Sequence, residues 1–277
     1  MGEYRARPLT IVIATLIAAF LFAPLLAVVP ISLTPADYLS MPSGALSFTH
    51  YETIWTDPSW IDSIAISLKV GLVSSIMATS LAVCFALGLW YTRTRFSRYL
   101  IGFVALPMVV PPVVSAIVLY FLMTSLPRAL NPVGYDTWPG VVVAHVVMNT
   151  PFAMVVVLSA LGRLDRSIER AARSVGASLW RTTVIVVLPN IKFGIAGAAV
   201  LAFMLSWQEV TVTLFVTSVN AITLPVRIWM GLRDNVDPAA AAISVVLVVI
   251  TACTLLIRML VIRMQVRKLH AEEWHAA

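Results

Sequence analysis

Glu209 is the side chain of this sequence best placed to act on a charged solute. It closes the run Ser206-Trp207-Gln208-Glu209 inside an otherwise apolar stretch. Acids within hydrocarbon are costly and tend to face a cavity or a partner. There a carboxylate could attract a cation, with Ser206 beside it and Trp207 offering an aromatic face to an amine. Equally, Glu209 could pair with Lys69, Arg227 or another subunit, or sit at the water boundary, and Trp207 could simply pack. His145 and Asn149 lie four residues apart, on one helix face. They could line a seam between chains, or hydrogen-bond across helices for ~0.6–2 kcal/mol per bond. No second ligand stands at metal spacing from His145, which argues against a metal site. No nucleophile–base pair or paired carboxylates occur in the apolar runs, so no catalytic residue is assigned. The sequence contains no G-x-x-x-x-G-K-[ST] loop and so no phosphate cradle of its own.

A second cluster is basic: LGRLDRSIERAARSVGASLWRTTVIVVLPNIKFGI. Asp165 can cap a helix whose positive end Glu169 favours. Ile168, Ala171, Ala172, Val175 and Leu179 recur at spacings of three and four, which predicts one apolar stripe. Arg163, Arg166, Arg170, Arg173 and Arg181 supply the polar side. Ala171, Ala172 and Gly176 are small and permit close approach of another surface. Pro189 predicts a bend. Two readings stand: an amphipathic helix lying on anionic lipid, or a docking helix for another protein.

The elements that must position these residues are read from hydropathy. The chain has 277 residues, 60% apolar and 12% charged, with mean hydropathy +0.93. Soluble domains carry about 45–50% apolar and about 25% charged residues, so the solvent of this chain is lipid. Composition excludes a disordered chain, a disulfide scaffold and a nucleic-acid binder. Cys84 and Cys253 lie in apolar runs and read as small buried hydrophobes. A helix needs ~20 apolar residues to span a bilayer. Six segments qualify, at about residues 9–31, 63–90, 100–123, 140–161, 195–216 and 239–257. The first is too long for a signal h-region and lacks a clear cleavage site, so a retained helix is expected. Pro107, Pro111, Pro112 and Pro151 should interrupt the third and fourth helices, as bends around a pathway or as ordinary kinks. Residues 32–62 and 124–139, rich in Pro and Gly, read as loops, the first with room for a short helix. Lys69 is expected to snorkel, and Trp55, Trp60 and Trp138 to mark the outer interface.

With both termini inside, fifteen of the 19 Lys and Arg residues fall on the inner side. They are Arg5, Arg7, Arg93, Arg95, Arg98, Arg163, Arg166, Arg170, Arg173, Arg181, Lys192, Arg258, Arg263, Arg267 and Lys268. Only Lys69, Arg128, Arg227 and Arg233 do not, and residues 32–62 carry four acids and no Lys or Arg. The positive-inside rule selects this topology. The fold class expected is all-α: one polytopic membrane domain over residues 1–277, with the 162–190 loop inside.

Ala171-Ala172, three residues, Gly176, nine residues, then Val186-x-Leu188-Pro189 resembles the EAA loop of ABC-importer permeases. The spacing matches throughout. Arg170 takes the place of the motif glutamate, with Glu169 one residue earlier, and Val186 replaces isoleucine. One residue along a helix turns a side chain by ~100°, so Glu169 does not substitute from the same direction. SIAISLKVGLVSSIMATSLAV, LPMVVPPVVSAIVLY, AHVVMNTPFAMVVV, SWQEVTVTLFV and TLPVRIW look like the spermidine/putrescine-type branch, second permease subunit. The resemblance implies a bacterial inner-membrane, multi-pass subunit that forms a pathway with a second permease. It implies a cytoplasmic ATPase dimer that holds ATP and Mg, and an extracytoplasmic binding protein that delivers solute. No cofactor is expected in this chain. Glu169, Arg170, Ala171, Ala172, Gly176, Leu188 and Pro189 would form the ATPase-coupling loop, and Ser206, Trp207, Glu209, His145 and Asn149 the substrate pathway. The cargo implied is a small cationic solute of polyamine type, with opines, other amine derivatives and iron open. A self-contained secondary transporter is the alternative, weakened by the lack of an inverted repeat.

Overall fold

The computed structural model describes residues 8–92, 94–125, 132–235 and 237–276, without the side chains of 8, 234, 235, 261, 262 and 265–276. Arg5, Arg7, Arg93, Pro127, Arg128 and Asn131 lie outside the described residues, as do the side chains of Arg267 and Lys268. Among the described residues the regular elements are all helical. Four helices are long and apolar enough to cross a membrane: α1 (Pro8–Ser32), α3 (Pro58–Thr92), α7 (Trp138–Gly162) and the first part of α14 (Pro238–Ala276). The chain divides into two compact units, one of residues 1–58 with 230–277 and one of residues 59–229.

In the first unit α1 packs along α14, and the short helix α2 (Thr49–Thr56) also packs on α14. Leu16, Phe20 and Phe22 on α1 are exposed, a surface suited to lipid and not to water. The expected loop at 32–62 thus holds a helix, and His50 Nε2 lies 3.1 Å from the Ala36 carbonyl to close it.

The second unit is built on α3 and α7. On α3, Ser67, Gly71, Ser74, Ala78, Ala82 and Ala86 repeat three or four apart. Small residues at that spacing let helix backbones approach closely where the hydrophobic effect cannot drive helices together. Gly71 illustrates this, since a Cβ there would stand 2.9 Å from the Phe203 ring. Two apolar cores result. One gathers Val70, Leu119, Met123, Val141, Val212 and Val216, the other Trp90, Met154, Val157, Leu161, Val187 and Ile191.

Two expected segments are not continuous helices. The third is cut into α4 (Ser97–Val104), α5 (Leu106–Val109) and α6 (Pro112–Thr124). Proline forces the residue before it out of the helical region. Accordingly Val110 and Pro111, which precede Pro111 and Pro112, take ψ of 132° and 134°. Pro151 leaves α7 unbroken. The fifth segment is α11 (Lys192–Trp207), a break at 208–210, and α12 (Thr211–Val216). Ahead of it α8 (Arg166–Ser174), α9 (Leu179–Thr182), a π-helical turn at Thr183–Val187 and α10 (Leu188–Asn190) replace the single amphipathic helix. The 179–190 segment meets α11 at a 70° bend, beside Pro189. α13 (Leu224–Met230) follows.

Two placements differ from expectation. Cys84 and Cys253 are exposed on the outer faces of α3 and α14, because apolar runs in lipid have no single buried side. Of the three tryptophans expected at the interface, Trp60 is buried while Trp55 and Trp138 reach the surface. Lys69 holds its ammonium 3.6 Å from the centre of the Trp138 ring, a cation–π contact with the tryptophan expected at the outer interface.

Candidate functional site

Glu209 stands in the break of the fifth segment. Its Oε1 accepts a hydrogen bond from Val212 N at 2.8 Å, which starts α12 where α11 has ended. The carboxylate serves an otherwise unsatisfied amide at a positive helix end. A cavity of about 160 Å³ opens beside it, lined by Glu209, Gln208, Asn149, Phe152, Pro107 and Pro112 among others. The prolines that cut the third segment therefore form one wall, and the break that frees Glu209 forms another. Such irregular backbone at membrane depth is tolerated where it lines a cavity. Lys69 and Arg227 do not pair with Glu209. Arg227 Nε donates to Ser63 Oγ at 3.4 Å and its Nη2 to the Ser59 carbonyl at 3.3 Å.

His145 lies behind this cavity, buried on α7. Its Nδ1 is 2.6 Å from Ser206 Oγ and its Nε2 2.9 Å from Thr213 Oγ1. Thr213 donates onward to the Glu209 carbonyl, and Ser74 donates to Ser206. A hydroxyl has one proton, so Thr213 must accept from Nε2–H and Ser206 must donate to Nδ1. The imidazole thus bridges the two halves of the broken segment. Asn149 Nδ2 donates to the Ala202 carbonyl at 3.4 Å and also reaches the cavity wall. The structure brings Asn149 and Glu209 to one cavity and leaves Trp207 elsewhere. Trp207 stacks on Phe203 with ring centres 6.0 Å apart, in a separate apolar hollow with Leu68 and Met204.

The basic loop presents the other arrangement. Asp165 caps α8 by accepting from Ser167 N at 2.8 Å. The Ser167 donation, aided by the Arg170 charge, holds the Asp165 carboxyl below its usual range. The apolar stripe is not one helix. α8 stops at Ser174, and Gly176 takes φ +85° to turn the chain, a conformation glycine adopts without a Cβ clash. Val175 is 84% exposed, and Ile168, Ala171 and Gly176 are exposed too. Arg170 faces solvent, while Glu169 is the buried residue of α8 and accepts from Trp90 Nε1 at 2.9 Å. Leu188 is partly buried and Pro189 exposed.

Asp136 was not singled out by its sequence context. It holds φ 56° and binds the 218–220 turn: Oδ1 accepts from the amides of Ser218, Val219 and Asn220 at 2.8–3.0 Å. Desolvation pushes its carboxyl up, but the Ser218, Asn220 and Val219 amides and the Asn220 side chain outweigh it and the pKa falls below the usual value. The only local signal was an acid two residues after Gly134. Nearby, a cavity of about 380 Å³ is lined by Asp62, Lys69, Trp138, Asn220 and Arg227 among others.

A broken, cavity-lining pair of segments and an exposed, glycine-turned loop are parts of a transport subunit. Residues 78–270 match the family described as the binding-protein-dependent transport system inner membrane component, and the chain belongs to it. It is an inner-membrane permease of the ABC-importer class, as the EAA-like spacing implied. The putrescine transport system permease protein PotI of Escherichia coli (strain K12) is 30% identical over 244 residues, covering 86% of this chain and 84% of PotI. A probable molybdenum ABC transporter permease protein of Haloferax volcanii is 30% identical over 232 residues, 79% of this chain and 84% of its own. The fold is shared with a bacterial ABC transporter involved in import of the acidic polysaccharide alginate. There the TM-score is 0.70 at 16% identity, over 88% of this chain and 90% of that one. A second structure of the alginate transporter, in complex with its alginate-bound periplasmic protein, matches with TM-score 0.62 at 18% identity, over 86% of this chain and 90% of that one.

Proposed function

We propose that this permease, with a second permease subunit, forms the pathway for a small cationic solute of polyamine type. ATP and magnesium are held by a separate cytoplasmic ATPase dimer that docks on the loop around α8. An extracytoplasmic binding protein delivers the solute, in keeping with the periplasmic protein that accompanies the alginate transporter. Residues 1–277 form one transmembrane domain of six spans with both termini cytoplasmic. In it α4–α6 make up the third span, and α11 with α12 the fifth. The bias of arginines to the inner side and the lack of Lys and Arg in residues 32–62 support that orientation.

The observation that carries the docking role is the exposed turn at Gly176, flanked by Ala171, Ala172 and the 84% exposed Val175. Apolar and small side chains thrust into solvent beside arginines mark a surface for a protein partner. The built Cβ position at Gly176 meets nothing within 4 Å. Gly176→Trp therefore projects bulk outward, and should abolish uptake and ATPase association while the chain still inserts. Gly176→Ala adds only the backbone cost of positive φ, about 1–2 kcal/mol, and should keep most uptake. Normal uptake by Gly176→Trp would refute the docking role, and uptake that persists with the ATPase deleted would refute the importer mechanism.

Glu209 supports the cationic cargo, as does the likeness to a putrescine permease. The cavity flanked by Lys69 and Arg227, together with the Haloferax relative, favours an oxyanion as the second reading. Competition of labelled putrescine uptake by putrescine or by molybdate separates the two.

A further inference from the structure

α8 is joined to α3 by a buried acid and an arginine that meet one indole. Ile168 and Ala171 are exposed, while Glu169, 8% exposed, turns inward. There the carboxylate meets Trp90, two residues from the end of α3, whose Nε1 donates to Oε2 at 2.9 Å. The Arg166 guanidinium covers the same indole, 3.9 Å from the ring centre. Trp90 itself is packed among Val157, Leu161, Val187 and Ile191, so the far end of the bond is fixed in a core. A hydrogen bond to a carboxylate is among the stronger ties a protein makes.

α3 then runs without a break over 35 residues, ~52 Å at 1.5 Å per residue. Along it Ser74 donates to Ser206, which bonds His145 at the edge of the Glu209 break, and Ser67 Oγ accepts from Leu224 N at 2.7 Å. One stiff rod thus touches α8 at one end and the polar groups around the pathway cavity along its length. We propose that the Glu169–Trp90 bond is a latch that makes α3 follow α8, so that a load applied to the outer face of α8 reaches the break at 208–210. Glu169 is a positioning residue in this scheme. The departure of the loop from the motif acquires a meaning: the acid, one residue earlier, faces its own bundle and leaves Arg170 outside. The proposal rests on the docking role of the α8 loop and adds how that loop is joined to the pathway.

The test is hydrogen–deuterium exchange of residues 166–174 and 86–92 in the full permease–ATPase complex in lipid nanodiscs, with and without ATP and vanadate. Trp90→Phe keeps an aromatic, though smaller, side chain and removes the donor. It should speed exchange over 166–174 roughly tenfold, and Glu169→Ala should do the same. The double variant should lose no more than either single one. Glu169→Gln keeps an acceptor and should stay within about threefold of the parent. In the parent, ATP and vanadate should alter exchange in both segments, and in Trp90→Phe only in 166–174. Unchanged exchange over 166–174 in Trp90→Phe would overturn the latch. A nucleotide response of 86–92 that survives Trp90→Phe would overturn its role in transmission. A parent in which nucleotide alters neither segment, with the ATPase bound, would instead overturn the docking reading on which the proposal rests.

Discussion

Replacing Glu209 by glutamine separates two jobs the carboxylate holds. One is structural, since Oε1 accepts from Val212 N at 2.8 Å and starts α12. A glutamine carbonyl can do the same, so Glu209→Gln should keep the fold. Glu209→Ala cannot, and loss of such a cap costs about 0.5–2 kcal/mol. The other job is charge at a cavity of about 160 Å³ shared with Asn149 and Gln208. An ammonium about 5 Å from the carboxylate gains ~3 kcal/mol at an effective dielectric of ~20. Desolvation of the ammonium offsets part of that, and ~1.4 kcal/mol remaining is tenfold in occupancy. Glu209→Gln should therefore lower putrescine import by about tenfold or more, with an unchanged unfolding temperature in detergent. Glu209→Ala should lower both. The assay is ATP-driven uptake of labelled putrescine into proteoliposomes holding the complete transporter, paired with thermal unfolding of each variant. Parent-level import by Glu209→Gln would refute the electrostatic reasoning. Loss of import with an equal loss of thermal stability would show that the acid only caps α12.

Two further outcomes test the packing and the loop chemistry. A Cβ at Gly194 would collide with Ala160 Cβ, where α11 meets α7, so Gly194→Ala should destabilise the unit by about 1–3 kcal/mol, and an unchanged unfolding midpoint would contradict that contact. Asp136 has a folded pKa below its unfolded value, so its stabilisation is complete above about pH 4 and is lost as pH falls through the folded pKa. Unfolding midpoints of parent and Asp136→Asn should thus differ at pH 7 and converge only as pH falls through the lowered folded pKa, and a constant gap would remove the carboxylate from that turn.

Hydropathy alone located α1, α3, α7 and the membrane part of α14, because a helix in lipid satisfies its own backbone and needs only enough apolar residues. The proline cluster at 107–112 announced the interruption of the third segment, since proline acts locally. The spacing from Ala171 to Pro189 announced the exposed loop for a similar reason, as glycine at positive φ and a capping acid are local devices. The break after Trp207 carried no Pro or Gly and was hidden in an apolar run. Only the structure shows the Val212 amide taking the Glu209 carboxylate and His145 bridging Ser206 to Thr213. The same holds for Asp136 and the 218–220 turn, 82 or more residues apart, and for Glu169 and Trp90, separated by 79. A one-residue step along α8 decides whether an acid meets solvent or an indole. Periodicity can assign that residue to a face, but which side chain waits opposite that face depends on how distant helices pack, and no local pattern encodes it.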